Sequence, residues 1–320
     1  MTGEFVFVTG AGGSIGRIIA RTLLHHGYRV RGFGLGEQYY RSPDFFCDLE
    51  KLGDFKFEIG SILDECALSD AMRGARQVIH LAAVAGARKA QANRLRCFNI
   101  NVNGTQKVMA ACVANRVEHV VNISSSAIYG VPRANPVSEI ADMQPRSAYA
   151  LSKVAAEEVV VAYTQAFPDL HYTTLRLFNA YGDSCTTELV LDSFVMRVAR
   201  SLPPIINGNG LQIRCFTHAE DVAAAIMRIF EAPNTRNQTY NLGNPDAITT
   251  IAELAQLVIE IVGTDKTMSP EYRQPAPGSP EEVLNIWADN ARLEKELNFR
   301  PRIGLREGLE RIQSALLKAK

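Results

Sequence analysis

The segment that most constrains what this chain can fold into is TGAGGSIG, residues 9–16, set between an apolar run and a helical repeat. EFVFVTG reads as a strand, and SIGRIIARTLLHHG has helical spacing with Gly27 as its stop. Gly10 permits a tight turn between the two, and Gly16 allows the helix to pack close to the strand. The alternation then repeats. YRVRGFG, FKFEIG, QVIHLAA, HVVNISSS and HYTTLRLFN read as strands two to six, with long helices over about Arg94–Asn115 and about Ala148–Ala166. Apolar strands alternating with helices predict an α/β fold: a doubly wound parallel sheet covered on both faces, with right-handed crossovers.

After Asn179 the pattern changes. Gly and Pro punctuate YGDSCTTE, LPPIINGNG and YRQPAPGSPEE, which predicts a smaller, interleaved C-terminal α/β lobe. THAEDVAAAIMRIFE reads as a helix returning to the main domain. The expected division is residues 1–178 with about 215–245 as one domain, and about 179–214 with 246–320 as the lobe. The length of 320 residues allows this arrangement.

Lys plus Arg and Asp plus Glu are 34 each, so no overall field draws the chain onto nucleic acid or an anionic membrane. No apolar stretch approaches the roughly 20 residues that span a bilayer. The N-terminus runs straight into a strand, with no charged-then-apolar leader, so a cytoplasmic location is expected. Cys47, Cys66, Cys97, Cys112, Cys185 and Cys215 are scattered without a CxxC pair or zinc spacing, which predicts reduced thiols and no metal site.

The glycine turn also has a chemical reading. Gly13 lets the backbone approach a pyrophosphate, and the following helix start supplies N–H groups and partial positive charge. A dinucleotide site of this kind places Asp or Glu at the end of the second strand, on the ribose hydroxyls. Gly34 stands there instead, within GFGLGEQ, with Glu37, Arg31 and Arg41 nearby. NAD and NADP are both open on this reading.

YALSK sets Tyr149 and Lys153 four residues apart, hence on one helical face. A free phenol ionises near pH 10; an adjacent ammonium and a positive nicotinamide ring favour the phenolate. The phenolate can then take a hydroxyl proton while hydride leaves carbon. ISSSAIYG supplies hydroxyls at the end of the preceding strand.

These motifs, with HLAA at 80–83, NVNGT, RLFNAYG, GNGLQIRCF, EDVA, YNLGN and WADNARLEKELNFRP, span nearly the whole chain. In this order they resemble the extended short-chain dehydrogenases/reductases of the nucleotide-sugar epimerase/dehydratase family. The resemblance implies a modified Rossmann domain, a nicotinamide cofactor and a nucleoside-diphosphate sugar. Counting back four residues from Tyr129 in Tyr129–Gly130, as the family pattern directs, marks Ser125 as the hydroxyl of a Ser125, Tyr149, Lys153 site. It implies cofactor contacts from Gly10, Gly13, Ser14, Ile15, Gly16, Ser61, Ile62, Leu81, Ala82, Ala83, Asn101, Tyr149 and Lys153. Substrate contacts would come from Arg88, Ser126, Asn179, Arg214 and Arg273. Asn101 is a brace for the site or a helix cap, and Ile286 would limit space around the sugar C2 substituent. Cys215 stands where the family has Asp after the arginine.

The family's dehydratases carry Asp-Glu after the catalytic residue, and its decarboxylases a Glu at the second place; here Ser126 and Ala127 stand there. The expected reaction is 4-epimerisation through a transient 4-keto sugar with tightly bound cofactor. A 4-keto reductase or dehydrogenase and, more remotely, a non-catalytic nucleotide sensor are the alternatives. The family's dimers pair the two long helices of each subunit, which predicts a homodimer that buries Val154, Val159 and Val160. His25 and His26 read as surface residues, and His80 as a satisfied core histidine.

Overall fold

Every second residue of a strand faces the same way, so a strand apolar throughout needs cover on both sides. In β1 (Phe5–Thr9), Val6, Phe7 and Val8 are all fully buried. Val6 and Val8 join a core containing Ile18, Ile19 and Leu23 of α1 (Ser14–His25), with Val222, Ile226 and Ile229 of the Ala219–Glu231 helix. Phe7 joins the opposite core, with Leu68, Met72, Val108, Met109 and Val160. Each such side chain contributes roughly 1.5–3 kcal/mol over exposure. The computed structural model describes residues 3–182, 189–274 and 285–318. Cys185 and parts of YGDSCTTE and YRQPAPGSPEE lie outside them.

The remaining strands are β2 (Arg29–Gly34), β3 (Phe55–Ile59), β4 (Gln77–His80), β5 (His119–Ser125) and β6 (His171–Leu177), with a seventh at Gln238–Leu242. The sheet order is Gln238–Leu242, β6, β5, β4, β1, β2, β3, and every pair is parallel. This is the Rossmann-like, doubly wound arrangement. The order reverses between β1 and β4, and the carboxyl ends of those strands frame a crevice where such folds bind ligands.

The helix expected over about 94–115 is built in three pieces: Arg94–Phe98, a wide π-type turn Asn99–Asn103, and Gly104–Ala114. The turn holds Asn101, which is therefore interior to the helical run and not a cap. A helix spans Ala148–Ala166, with Ser147 accepting from the Ala150 N–H as its N-cap.

Beyond β6, a separate apolar cluster gathers Leu191, Phe194, Val198, Leu254, Val258 and Leu309 from distant segments. One of its helices, Ile251–Val262, starts with a reciprocal cap between Thr250 and Glu253. Short strands complete this region: Ile213–Cys215 pairs with Ile248–Thr250 and Asn285–Ile286, and Ile205–Asn207 with Glu271–Arg273. A small cluster of Ile128, Tyr129, Phe178, Cys215, Ile286 and Ala288 joins the lobe segments to the end of β5. Among the described residues, no helix is long and apolar enough to cross a membrane.

Candidate active site

The glycine turn leads from β1 into α1 at the crevice. Gly10 has φ +72°, and a Cβ there would lie 2.8 Å from the Ala82 backbone nitrogen, so only glycine fits. A Cβ at Gly16 would collide with the Gly10 carbonyl. The turn therefore packs on the Leu81–Ala82 backbone just after β4, and Gly10 N–H is held by the Phe33 carbonyl at 2.8 Å. Helix α1 begins at Ser14 with no side-chain cap, which leaves its first N–H groups, those of Ser14, Ile15 and Gly16, to an anion. This cradle fits a dinucleotide pyrophosphate. Ser61 and Ile62 follow β3, and Leu81, Ala82 and Ala83 follow β4, so the expected cofactor residues converge on the carboxyl ends of the strands.

Behind the turn runs a hydrogen-bonded chain whose direction is determined. Thr105 Oγ1 donates to the Asn101 carbonyl at 2.6 Å, so it accepts from His80 Nε2 at 2.9 Å. His80 Nδ1 then accepts from Thr9 Oγ1 at 2.7 Å, and Thr9 Oγ1 accepts from the Ala82 N–H at 3.3 Å. Burial pushes the His80 imidazole down to about 3, with Lys153 acting the same way, so the ring is neutral. It is a satisfied core histidine. Asn101 continues the network: its Oδ1 accepts from Val84 N–H at 2.7 Å, and its Nδ2 donates to Val84 O and to Ser152 Oγ at 2.9 Å. Ser152 in turn donates to the Tyr149 carbonyl at 2.8 Å.

Tyr149 and Lys153 lie one turn apart on the Ala148–Ala166 helix, beside the end of β5. Ser125, the last residue of β5, accepts from the Ala127 N–H at 3.2 Å and lies beside the Tyr149 phenol, whose ionised form its hydroxyl favours. Lys153 is buried and donates from Nζ to the Ile123 carbonyl at 2.7 Å. Burial holds the Tyr149 phenol above its usual range, against the influence of the Ser125 hydroxyl. Burial also pushes the Lys153 ammonium down to about 8, against the attraction of Glu157. In the protein alone the phenol therefore keeps its proton. The lowering expected from Lys153 is not among the influences on the phenol; the ammonium is instead turned to the Ile123 carbonyl.

Glu157, one turn beyond Lys153, forms a buried bidentate pair with Arg176 of β6, at 2.7 Å for the shortest contact. Arg176 also donates to the Tyr129 hydroxyl at 2.9 Å, which donates to Asn241 Oδ1 at 2.7 Å. Sequence reasoning missed this network, although the spacing of 149, 153 and 157 along one helical face was available to find it.

The substrate candidates are less gathered. Ser126 is buried and starts the 3₁₀ turn Ser126–Tyr129. Asn179 has φ +39° and donates to the Cys215 carbonyl at 2.9 Å, which fixes the strand carrying Arg214. Arg214 is half-buried, with Nη1 on the Ile213 carbonyl. Cys215 is a buried thiol donating to the Asn244 carbonyl at 3.1 Å, pushed up to about 12 by burial. Arg88 lies exposed on the short Ala87–Ala92 helix. Arg273 is exposed and paired with Glu271 of its own strand at 2.8 Å. Ile286 is buried in the cluster with Tyr129, Phe178 and Cys215. Val160 is fully buried, and Val154 and Val159 pack on internal clusters, so these three form no outward stripe. Among the described residues, no group of three or more His, Cys, Asp or Glu could hold a metal ion.

Comparison with known proteins agrees with this geometry. The UDP-glucose epimerase YtcB of Bacillus subtilis, itself uncharacterised, is 26% identical over 311 residues, 95% of each chain. The dTDP-glucose 4,6-dehydratase of Streptomyces griseus is 28% identical over 310 residues, 95% of this chain and 91% of its own. The structure of MoeE5 in complex with UDP-glucose and NAD superposes with a TM-score of 0.85, at 29% identity and 99% coverage of both chains. The model of the NAD-dependent epimerase/dehydratase family matches residues 6–243, and with the parallel sheet, the glycine cradle and the Ser125–Tyr149 contact in place, this chain belongs to that family.

Proposed function

We propose that this protein is a nucleotide-sugar 4-epimerase acting through Ser125, Tyr149 and Lys153, with a tightly held nicotinamide cofactor and a UDP-sugar substrate. The observation carrying this reading is that Ser126 and Ala127 follow Ser125, where loss of water would need an acid and a base. Ala127 has no proton to give, and its backbone N–H is engaged by Ser125. Oxidation and re-reduction at one carbon needs neither group. NAD and UDP-glucose in the MoeE5 complex support the choice of cofactor and nucleotide.

Gly10, Gly13, Gly16 and the start of α1 hold the dinucleotide, and Ser61, Ile62, Leu81, Ala82 and Ala83 line its path. The nicotinamide, when bound, supplies the acceptor and later the donor of hydride at the sugar C4. Ser125 holds the sugar oxygen within reach of Tyr149, and the Tyr149 phenolate takes the O4 proton and later returns it. Lys153 keeps the phenolate charged and steadies the cofactor ribose; Arg214, positioned through Asn179, meets the diphosphate. Rotation of the 4-keto sugar between the two transfers inverts C4, so proton and hydride are both returned and nothing is consumed. On this reading residues 1–178 with about 215–245 serve the cofactor and the rest the sugar nucleotide, with the segments interleaved: Leu293 and Leu297 pack in the main core and Phe216 in the lobe core. A homodimer is part of this reading, with exposed Leu95 and Leu151 as the outward apolar positions on its helices.

The test is incubation with UDP-glucose without added cofactor, followed by NMR of the sugar. Appearance of UDP-galactose supports the reading. A steady change in reduced nicotinamide instead marks a 4-keto reductase or dehydrogenase. Tyr149→Phe lowers the rate by about 10²–10⁴-fold while the fold is kept; unchanged turnover defeats the assignment.

A further inference from the structure

The end of β2 departs from what an NAD site requires. There a carboxylate accepts the adenosine ribose hydroxyls and, by its charge, repels a 2′-phosphate. Gly34 provides none, and the space has been taken by another residue. The Gln38 side chain reaches both the strand end and the glycine turn: its Oε1 lies 2.7 Å from where a Cβ of Gly34 would stand, and 2.9 Å from that of Gly12. The ribose subsite is thus edged by a neutral amide, which can both donate and accept.

The charge beside that amide is positive. Arg17, just inside α1, donates from Nε to the Gly12 carbonyl at 3.0 Å and from Nη2 to the Gln38 carbonyl at 3.3 Å. Its guanidinium lies over Phe45 and Phe46, 5.0 and 5.4 Å from the ring centroids. These contacts fix the group in place without neutralising it, since no carboxylate is among its partners in the described residues. The two arginines that the sequence brought forward do not serve here. Arg31 lies over the Phe5 ring at 5.1 Å, at the far end of β1, and Arg41 is ion-paired with exposed Glu37.

We infer that the adenosine end of this cofactor site accepts a 2′-phosphate, with Gln38 and Arg17 as the residues that set the choice between NADP and NAD. The inference rests on the dinucleotide reading of the glycine turn and not on the sugar chemistry. Gln38 presents its amide to the ribose side, and Arg17 supplies the positive field of an immobile guanidinium at the same turn. The acidic groups near the end of β2 are offset: Glu37 by Arg41, and Glu58, opposite Phe33 on β3, by Lys56.

The test is equilibrium binding of NAD⁺ and NADP⁺ to cofactor-stripped protein by calorimetry, with no sugar present. The wild type is expected to bind NADP⁺ at least as tightly as about one tenth of its NAD⁺ affinity. Gln38→Glu keeps the shape and adds the missing negative charge; it should weaken NADP⁺ by about tenfold or more and leave NAD⁺ within about threefold. Arg17→Gln should shift the ratio in the same direction. A wild-type preference for NAD⁺ above about a hundredfold, or a ratio unmoved by Gln38→Glu, overturns the inference while leaving the epimerase reading intact. Binding of neither dinucleotide overturns both.

Discussion

Where the Ala148–Ala166 helix meets residues 97–105, its buried polar partners are neutral; where it meets β6, they are charged. The first network runs from Ala82 through Thr9, His80 and Thr105 to Asn101, Ser152 and Tyr149, with a donor for each acceptor. The second is Glu157 with Arg176, Tyr129 and Asn241. A neutral relay can set positions without carrying a charge into the core, and losing one link strands only neutral groups. A buried ion pair is different: its partners have already lost their hydration, so each depends on the other. Lys153 lies between the two, its charge weakened by burial and supported by Glu157.

The sharpest way to break this contrast is Arg176→Met, which leaves the Glu157 carboxylate buried alone. It should cost about 3–5 kcal/mol in urea unfolding, and the double variant with Glu157→Leu should recover at least half of that loss. A single variant with near wild-type stability would erase the distinction. His80→Phe tests the neutral side. It strands the Thr9 and Thr105 hydroxyls and should cost about 1–3 kcal/mol, less than the charged case, with dinucleotide affinity reduced because Thr9 no longer orders the Ala82 backbone.

The pH dependence separates the two further. The Lys153 ammonium titrates at about 8 in the folded chain and near 10.5 when unfolded, so the unfolded state holds more protons between those values. Stability of the cofactor-free protein should therefore rise by about 2 kcal/mol from pH 7.5 to 9.5, a gain absent in Lys153→Met. His80 titrates at about 3 folded and 6.5 unfolded. Its share of stability is complete above 6.5 and declines below it, by about 2 kcal/mol between pH 7 and 5. The difference between wild type and His80→Gln across that interval isolates the contribution; parallel curves would show that His80 is not held neutral.

Local patterns carried the cofactor half of the molecule and failed on contacts made across it. Strands one to six and the glycine turn were legible, because each follows from short-range periodicity or fixed spacing, and the four-residue interval put Tyr149 and Lys153 on one helical face; Ser125 was singled out only through the resemblance. Arg17 was not: nothing in its neighbours in the chain says that Gly12, Gln38, Phe45 and Phe46 will meet around it. The same holds for Arg176 and Glu157, nineteen positions apart and joined only by packing of helix on strand. Arg31 and Arg41 were proposed from proximity along the chain, which says nothing about which side of a strand an arginine leaves. In the lobe, the resemblance supplied a position for Ile286 but not its packing against Tyr129, Phe178 and Cys215.

The wide turn at Asn99–Asn103 has an evolutionary consequence. One surplus residue in a helix rotates everything before it by about 100° relative to everything after it. Removing a residue there would restore an ordinary spiral but swing Cys97 and its neighbours away from Ser152, while Thr105 stayed beneath His80. Relatives of this chain should thus tolerate exchanges of residue type at 99, 100 and 103 far more readily than any single-codon deletion in that stretch.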